Sequence, residues 1–530
     1  MLAAAMSWNK ARSFVLFLIF AVTLRVTFSI PPDYARVRRA LIDAELAMQI
    51  GGNGSDLSPL EQKLNGVMLD EKKKIVEAAR VNGSYFPAGY DFLSSRAAME
   101  TTMSFKIIQQ MPKGGVLHVH DMSLTSIDWL IQNVTYRDNL YMCVDKHYSV
   151  KFHFYSSPPS NPGCPWKLVQ TYRKECGDPK VFDKLLHSNI TMVTDDPAKA
   201  YPDIDAVWDK FMAYFGKVSG LMLYAPVFED YLYEGLKQFR QDNVQYLEIR
   251  ALLSPVYELN GTTHDLEWVL DVYQRVITQF VKDYPDFSGG KIIFSGHRSS
   301  SGSVVLADVK EAMILHQKYP TFMVGFDLVG QEDRFHSLIY YIDDLLYPSQ
   351  QNPPVHLPYF FHAGETDWQD TATDYNLMDA LLLNATRIGH GYALYKHPLL
   401  LQKIKQRQIP VEVNPISNQV LKLVDDLRNH PAASLIADNF TLVISSDDPA
   451  SWEAAPLTDD FYVTFMALTG EEAGLATLKQ LAKNSIWYSA MTMAEKKAAF
   501  SLWERKWDVF IKNTAKQLGL LRDRHVFAEY

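Results

Sequence analysis

Gly115-Val-Leu-His-Val-His-Asp121 is the stretch that decides how this chain folds. A short apolar run ends in two histidines one residue apart, His118 and His120. Side chains alternate along a strand, so residues i and i+2 face the same side. Both imidazoles can then reach one ion at the carboxyl end of a first strand, where (β/α)8 barrels place their active sites. Two histidines at a strand end are also compatible with plain packing. The rest of the chain decides between these readings.

Working outward, eight short apolar runs are found: Gly115–His118, Val244–Arg250, Lys291–Ser295, Met323–Leu328, Pro358–His362, Thr386–Gly389, Pro410–Asn414 and Thr441–Ser445. From the second to the eighth, successive starts lie 24 to 47 residues apart, room for a helix and two loops each. That rhythm predicts an α/β fold, a (β/α)8 TIM barrel. The first interval is longer, about 125 residues, and predicts an inserted subdomain over roughly 125–200. Ahead of the barrel, Asp33–Gln49, Leu60–Val81 and Ala97–Met111 carry apolar residues at helical spacing. Such helices must bury their apolar stripes against the barrel or against a second subunit. Leu475–Met491 and Glu495–Leu518 read as closing helices.

Three further runs end in polar clusters. The fifth gives Phe361-His-Ala-Gly-Glu-Thr366, which offers His362 as a third imidazole and Glu365 in the loop above. The sixth gives Arg387-Ile-Gly-His-Gly391, and the eighth Ser446-Asp-Asp-Pro449. Taken singly, His362 suits a packed core, Glu365 a solvated loop, and Asp447-Asp448 a turn or helix cap. Four furnished strand ends together point instead to a metal site of the Zn2+ type, three imidazoles and a carboxylate with a position open for water.

The 530 residues are 47% hydrophobic and 21% charged, enough apolar material for a large core. A net charge of −9 argues against nucleic acid or an anionic membrane as the main partner. Lys10 and Arg12 precede the apolar run Phe14–Leu24, with small residues near Ser29. This fits a signal peptide over 1–29, with an uncleaved anchor as the competing reading. The run is shorter than the about twenty residues of a membrane span. No later stretch resembles one. Asn53, Asn82, Asn133, Asn189, Asn260, Asn384 and Asn439 each begin a glycosylation sequon, in keeping with secretion. Of Cys143, Cys164 and Cys176, the first two could close a loop in an oxidising compartment, and the pairing stays open.

With these motifs in view, the chain resembles the adenosine/AMP deaminase superfamily, and most closely its secreted branch, the adenosine deaminase-related growth factors. The motifs are Leu117-His-Val-His-Asp121, Phe361-His-Ala-Gly-Glu-Thr366, Arg387-Ile-Gly-His-Gly391 and Ser446-Asp-Asp-Pro449, and the likeness spans nearly the whole mature chain. It implies a barrel of the metal-dependent hydrolase type, 107–530, that deaminates adenosine and 2′-deoxyadenosine to the inosine product and ammonia. It implies Zn2+ held by His118, His120, His362 and Asp447, which lowers the pKa of a water towards neutrality. His390 would accept that water's proton and Glu365, kept protonated by seclusion, would protonate purine N1. Asp448 would meet N7, the backbone NH of Gly330 would meet N3, and Asp121 and His297 would contact the ribose side. A segment from Trp208 to Phe215 would help cover the nucleoside, although Trp208 equally suits a helix core position.

The same resemblance implies a helical homodimerisation region over 30–106. It also implies an insertion over 127–190 that binds a receptor or glycosaminoglycan and is stapled by Cys143–Cys164, leaving Cys176 unassigned. After signal removal the protein would be extracellular, with no membrane insertion, and would act as a growth factor by lowering adenosine. The alternative is a receptor-binding growth factor whose signalling is independent of catalysis. An AMP deaminase would need a basic phosphate-binding cluster, and none stands in these motifs. The other deaminase superfamily uses Cys-x-x-Cys ligands, which this chain lacks.

Overall fold

The computed structural model describes residues 33–145, 149–160 and 163–521, so the expected signal peptide lies outside the described residues. Eight parallel strands organise it. β1 (Gly114–His120), β2 (Val244–Ala251), β3 (Gly289–His297) and β4 (Met323–Val329) pair in that order. β5 (His362–Ala363), β6 (Ile388–His390), β7 (Val411–Val413) and β8 (Leu442–Ile444) form a second parallel sheet. Single parallel bridges join the two at both seams, Phe326 to Tyr359 and Val119 to Asp447, which closes the ring. All eight expected runs lie at these strands. The fifth differs most: of Pro358–His362, only Tyr359 bridges β4 before the two-residue β5.

The sequence explains why these segments become barrel staves. β2 reads Val-Gln-Tyr-Leu-Glu-Ile-Arg-Ala and is buried along its whole length, as a parallel strand covered on both faces must be. Helices return the chain between strands, among them Ala225–Gln241, Leu266–Asp283, Gly302–Lys318 and Pro398–Arg407. The side chain of Asp265 caps Leu266–Asp283 by accepting the Trp268 N–H at 3.0 Å.

Of the amino-terminal helices, Pro59–Asn82 starts with a capping box of Ser58 and Glu61 and ends at Gly83, whose φ of +63° suits glycine. Glu61 also pairs with Lys479 at 2.6 Å and accepts from the Trp507 indole, which fixes this helix to the two closing helices, Leu475–Trp487 and Met493–Gln517. The single helix expected over Ala97–Met111 is instead two, Phe92–Met99 and Met103–Gln110. Thr102 interrupts it by capping the second, and Glu71 accepts the freed Met103 and Ser104 N–H groups. The unit Met1–Ala47 is separate, and its described part is helical from Tyr34 with no buried side chain.

Between β1 and β2, a three-stranded antiparallel sheet (Val150–Phe154, Leu140–Val144, Lys167–Leu168) is followed by helices Val169–Glu175 and Pro179–Ile190. A disulfide joins Cys143 to Cys164, and Cys176 is an exposed free thiol. All seven sequon asparagines are exposed. No helix among the described residues is long and apolar enough to cross a membrane.

Candidate metal centre

β1 presents His118 and His120 at its carboxyl end, β5 presents His362, β6 presents His390, and the loop after β8 presents Asp447. His118, His362, His390 and Asp447 offer ligand atoms within 4.8 Å of one another, and His120, Asp447 and Asp448 form a second such group. His118 Nε2 lies 3.0 Å from His362 Nε2, and Asp447 Oδ1 lies 3.2 Å from His118 Nε2 and 3.0 Å from His120 Nε2. The first sheet and the second thus meet at one point.

Hydrogen bonding behind the ligands shows what that point requires. His118 Nδ1 is 2.8 Å from Glu412 Oε2, and His362 Nδ1 is 2.7 Å from Asp327 Oδ2. Burial works against both carboxylates' charge, yet Arg250 and Arg387 beside Glu412, and His362 and Arg250 beside Asp327, hold them far below the ordinary range. Ionised carboxylates accept only, so each Nδ1 carries the proton and each Nε2 is bare. Two lone pairs facing each other at 3.0 Å beside a carboxylate repel unless a cation sits between them. A tetrahedral zinc with nitrogens at about 2.0–2.1 Å spaces them by about 3.3 Å, close to the spacing seen. Asp447 Oδ1, His390 Nε2, Glu365 Oε1 and Asp448 Oδ1 are also buried without a hydrogen-bond partner among the described residues. The donor set fits a divalent ion.

Carboxylate–histidine pairs of this kind fix ligand orientation, and sequence reasoning missed them. Arg250 reaches Asp327 at 2.7 Å and Glu412 at 2.6 Å, and Arg387 reaches Glu412 at 2.6 Å and also pairs with Glu248, all fully buried. The available signal was charge inside a strand otherwise apolar and buried, as in Leu-Glu-Ile-Arg250 and Val-Glu412-Val.

The acids take distinct states. Burial, then the charge of Asp447, pushes Glu365 well above the usual carboxylate range, and Asp448 rises for the same two reasons. Asp447 stays well below it against burial, with His120 Nε2 3.0 Å from its Oδ1. Adjacent carboxylates are thereby split into one anion and one acid. Asp121, accepting from the Tyr273 hydroxyl at 3.2 Å, is lifted by burial to about 6. Glu332 accepts the Glu365 N–H at 2.9 Å and holds the loop that carries it. Burial lowers His362 to about 3 and depresses His390 strongly.

A cavity of about 390 Å3 opens beside this cluster, lined by His120, Asp121, Trp208, Phe215, His297, Gly330, His362, Asp447 and Asp448 among others. Trp208, Phe211 and Phe215 share one face of helix Ile204–Met222, and Trp208 is 6% exposed, at once core and wall. At Gly330, φ is +106° and an added Cβ would lie 3.0 Å from His297 Nε2, so glycine is needed there. Glu365 and His390 are buried and are not among the residues that line the cavity.

Comparison with known proteins places this geometry. A family model described as adenosine deaminase matches residues 181–504, and one described as adenosine/AMP deaminase N-terminal matches 14–108. The chain is 47% identical to adenosine deaminase 2 of Sus scrofa, over 89% of this chain and 93% of that protein. It is 45% identical to adenosine deaminase 2 of Homo sapiens, over 94% and 97%. Among solved structures, adenine deaminase from Arthrobacter aurescens superposes with a TM-score of 0.52 at 18% identity, covering 74% of this chain and 98% of that one, a likeness of fold.

Proposed function

The chain belongs to the adenosine deaminase family, and from that premise we propose that it is a secreted, zinc-dependent hydrolase converting adenosine, and 2′-deoxyadenosine, to the inosine product and ammonia. The observation that carries this reading is the pair of bare imidazole nitrogens, His118 Nε2 and His362 Nε2, 3.0 Å apart beside Asp447. His118, His120, His362 and Asp447 would hold Zn2+. Bound there, the ion supplies Lewis acidity that brings the ionisation of an attacking water towards neutral pH.

The chain's own residues do the rest. Glu365, protonated through burial, gives its proton to purine N1 and so makes C6 electrophilic. Asp448, also held neutral, donates to N7, and the Gly330 N–H donates to N3. Asp121 and His297 bind the ribose, and the face of Trp208 and Phe215 excludes water from the nucleoside. His390, its Nε2 3.7 Å from Asp447 Oδ2, would accept the proton of the attacking water.

Secretion is supported by the apolar leader, the Cys143–Cys164 disulfide and seven exposed sequons, Asn53, Asn82, Asn133, Asn189, Asn260, Asn384 and Asn439. Region 30–106 would make the homodimer, a reading supported by Tyr34 and Leu41, which are 61% and 64% exposed on the first helix. The insertion over 127–190 would bind a receptor or glycosaminoglycan, and removal of extracellular adenosine would account for growth-factor activity. The test is the loss of adenosine ultraviolet absorbance with purified protein, before chelation, after it, and after zinc return. Turnover lost and restored is expected; none in the zinc-replete sample contradicts the reading. Glu365→Gln, folded and zinc-loaded, should lose turnover and growth activity together. Full growth activity in that variant would favour signalling independent of catalysis.

A further inference from the structure

The cavity beside the metal cluster is longer than one nucleoside. Its wall follows helix Ile204–Met222 from Trp208 to Leu223, about 22 Å at the helical rise of about 1.5 Å per residue. Phe211 stacks on Trp452 at 5.8 Å, which sets the first half of the helix beside the loop that carries Asp447 and Asp448. At the other end the Leu223 carbonyl accepts the Tyr257 N–H at 3.0 Å, beside the segment that follows β2. Leu252 and Ser254 of that segment line this far end.

A second hollow, of about 480 Å3, adjoins the first and shares Gly216, Ser219 and Leu223 with it. These stand at i, i+3 and i+7, one stripe of the helix, and two of them are small. A Cβ at Gly216 would meet nothing within 4 Å, so the ridge between the hollows is low there. Beyond the ridge the strand Val150–Phe154 packs so closely on the helix that a Cβ at Gly220 would overlap the Phe152 carbonyl. His153 and Tyr155, two residues apart, share one face of that strand. His153 stacks on Tyr257, centroids 4.1 Å and planes 12° apart, and Tyr155 meets Trp166 edge-on at 5.2 Å. All four rings line the second hollow and are half-buried. Burial lowers the pKa of His153, so its ring joins the others uncharged. Of the two lysines that also line the hollow, Lys217 donates to the Asn189 carbonyl at 2.6 Å. What the hollow offers is a set of ring faces and edges, which recognise a flat aromatic group by stacking.

We infer that the shelf of His153, Tyr155, Trp166 and Tyr257 is a second substrate subsite, which takes a flat aromatic group carried on the ribose of an adenosine bound at the metal cluster. The link between the two parts crosses the low ridge at Gly216 and Ser219. This rests on the deamination proposed for the cluster and names a wider class of substrate for it. The exocyclic C5′ is the ribose carbon that reaches farthest from the base, so it is the point of attachment. Continuity of the hollows argues for one linked occupant. A ring tethered to a bound nucleoside meets the shelf at high effective concentration and loses little further freedom there.

The test compares two uncharged ethers, 5′-O-benzyladenosine and 5′-O-methyladenosine, as substrates of the zinc-loaded full chain. Both lack the 5′ hydroxyl and only one adds a ring. The benzyl ether should show kcat/KM about 5- to 100-fold above the methyl ether, the scale of one aromatic stacking contact. Trp166→Ala and Tyr155→Ala should each cut that preference at least about threefold. Both should leave kcat/KM for adenosine itself within about twofold, because neither ring lines the first cavity. Gly216→Leu, which a helix accepts, should raise the ridge and abolish the preference. Equal kcat/KM for the two ethers in the wild type overturns the inference and leaves the shelf to a separate partner. A preference that survives unchanged in all three variants overturns it as well. If the alanine variants do not fold, the wild type and Gly216→Leu decide. Absence of adenosine turnover would defeat the proposed function alone, since the affinities of the two ethers, read by calorimetry, still report the preference.

Discussion

The two halves of the barrel are built differently. β1 to β4 run 7, 8, 9 and 7 residues, whereas β5 to β8 run 2, 3, 3 and 3. The first half is a long ladder with nearly every position buried. The second leaves the ladder early and spends its strand ends on chemistry. His390 and Asp447 there adopt φ of +60° and +59°, left-handed backbone that costs a non-glycine residue of order 1–3 kcal/mol. Gly389, just before His390, is needed for a different reason: an added Cβ would lie 3.0 Å from the His118 ring. One half supplies stiffness and the other supplies unusual directions for side chains. Buried charge ties them: Arg250 of β2 reaches Glu412 of β7, and Arg387, just before β6, reaches Glu248 of β2.

The largest break in this comparison should come from Glu412→Gln. It leaves Arg250 and Arg387 short of a buried counter-charge, which costs about 3–5 kcal/mol. It also removes the carboxylate behind His118, and metal affinity should fall about 10- to 100-fold. Chelator competition and denaturant unfolding read the two effects. Ile249→Val, inside the long β2 ladder, should cost about 0.5–1.5 kcal/mol and leave metal affinity unchanged. Equal loss of metal in both variants would erase the distinction between the halves.

A pH-dependent effect sharpens it. Asp459, in the short helix Thr458–Val463 after β8, is 1% exposed and has one carboxylate oxygen without a partner among the described residues. Burial first, then Asp242, lifts it to about 7 from 3.8. A folded value above the unfolded one means stability is fully present below pH 3.8 and is lost as pH rises through about 7. Asp459→Asn should therefore gain on the wild type between these limits and keep a roughly constant advantage above them. At pH 8 the difference should be up to about 4 kcal/mol, read as unfolding free energy against pH. A variant less stable than the wild type at pH 8 would contradict this.

Much of this was legible because barrel strands are short apolar runs and barrel sites are polar groups at their ends. His118, His120, His362, His390, Asp447 and Asp448 each stand where such a run stops. The supporting shell was not legible in the same way. Arg250 meets Asp327 and Glu412 across 77 and 162 residues of chain, separations that local pattern does not encode. Asn418, whose side-chain amide lies 3.0 Å from His390 Nδ1, follows β7 in sequence that carries no strand-end signal. The break at Thr102 escaped notice because apolar spacing continues across it, while the deciding contact comes from Glu71 on another helix.

The central claim is that one divalent ion is shared between the two halves. Anomalous diffraction across the zinc edge, on crystals of zinc-loaded protein, tests it most directly. The account predicts one edge-dependent peak per chain, enclosed by His118, His120, His362 and Asp447. No peak after zinc loading, or a peak away from these four side chains, would contradict it.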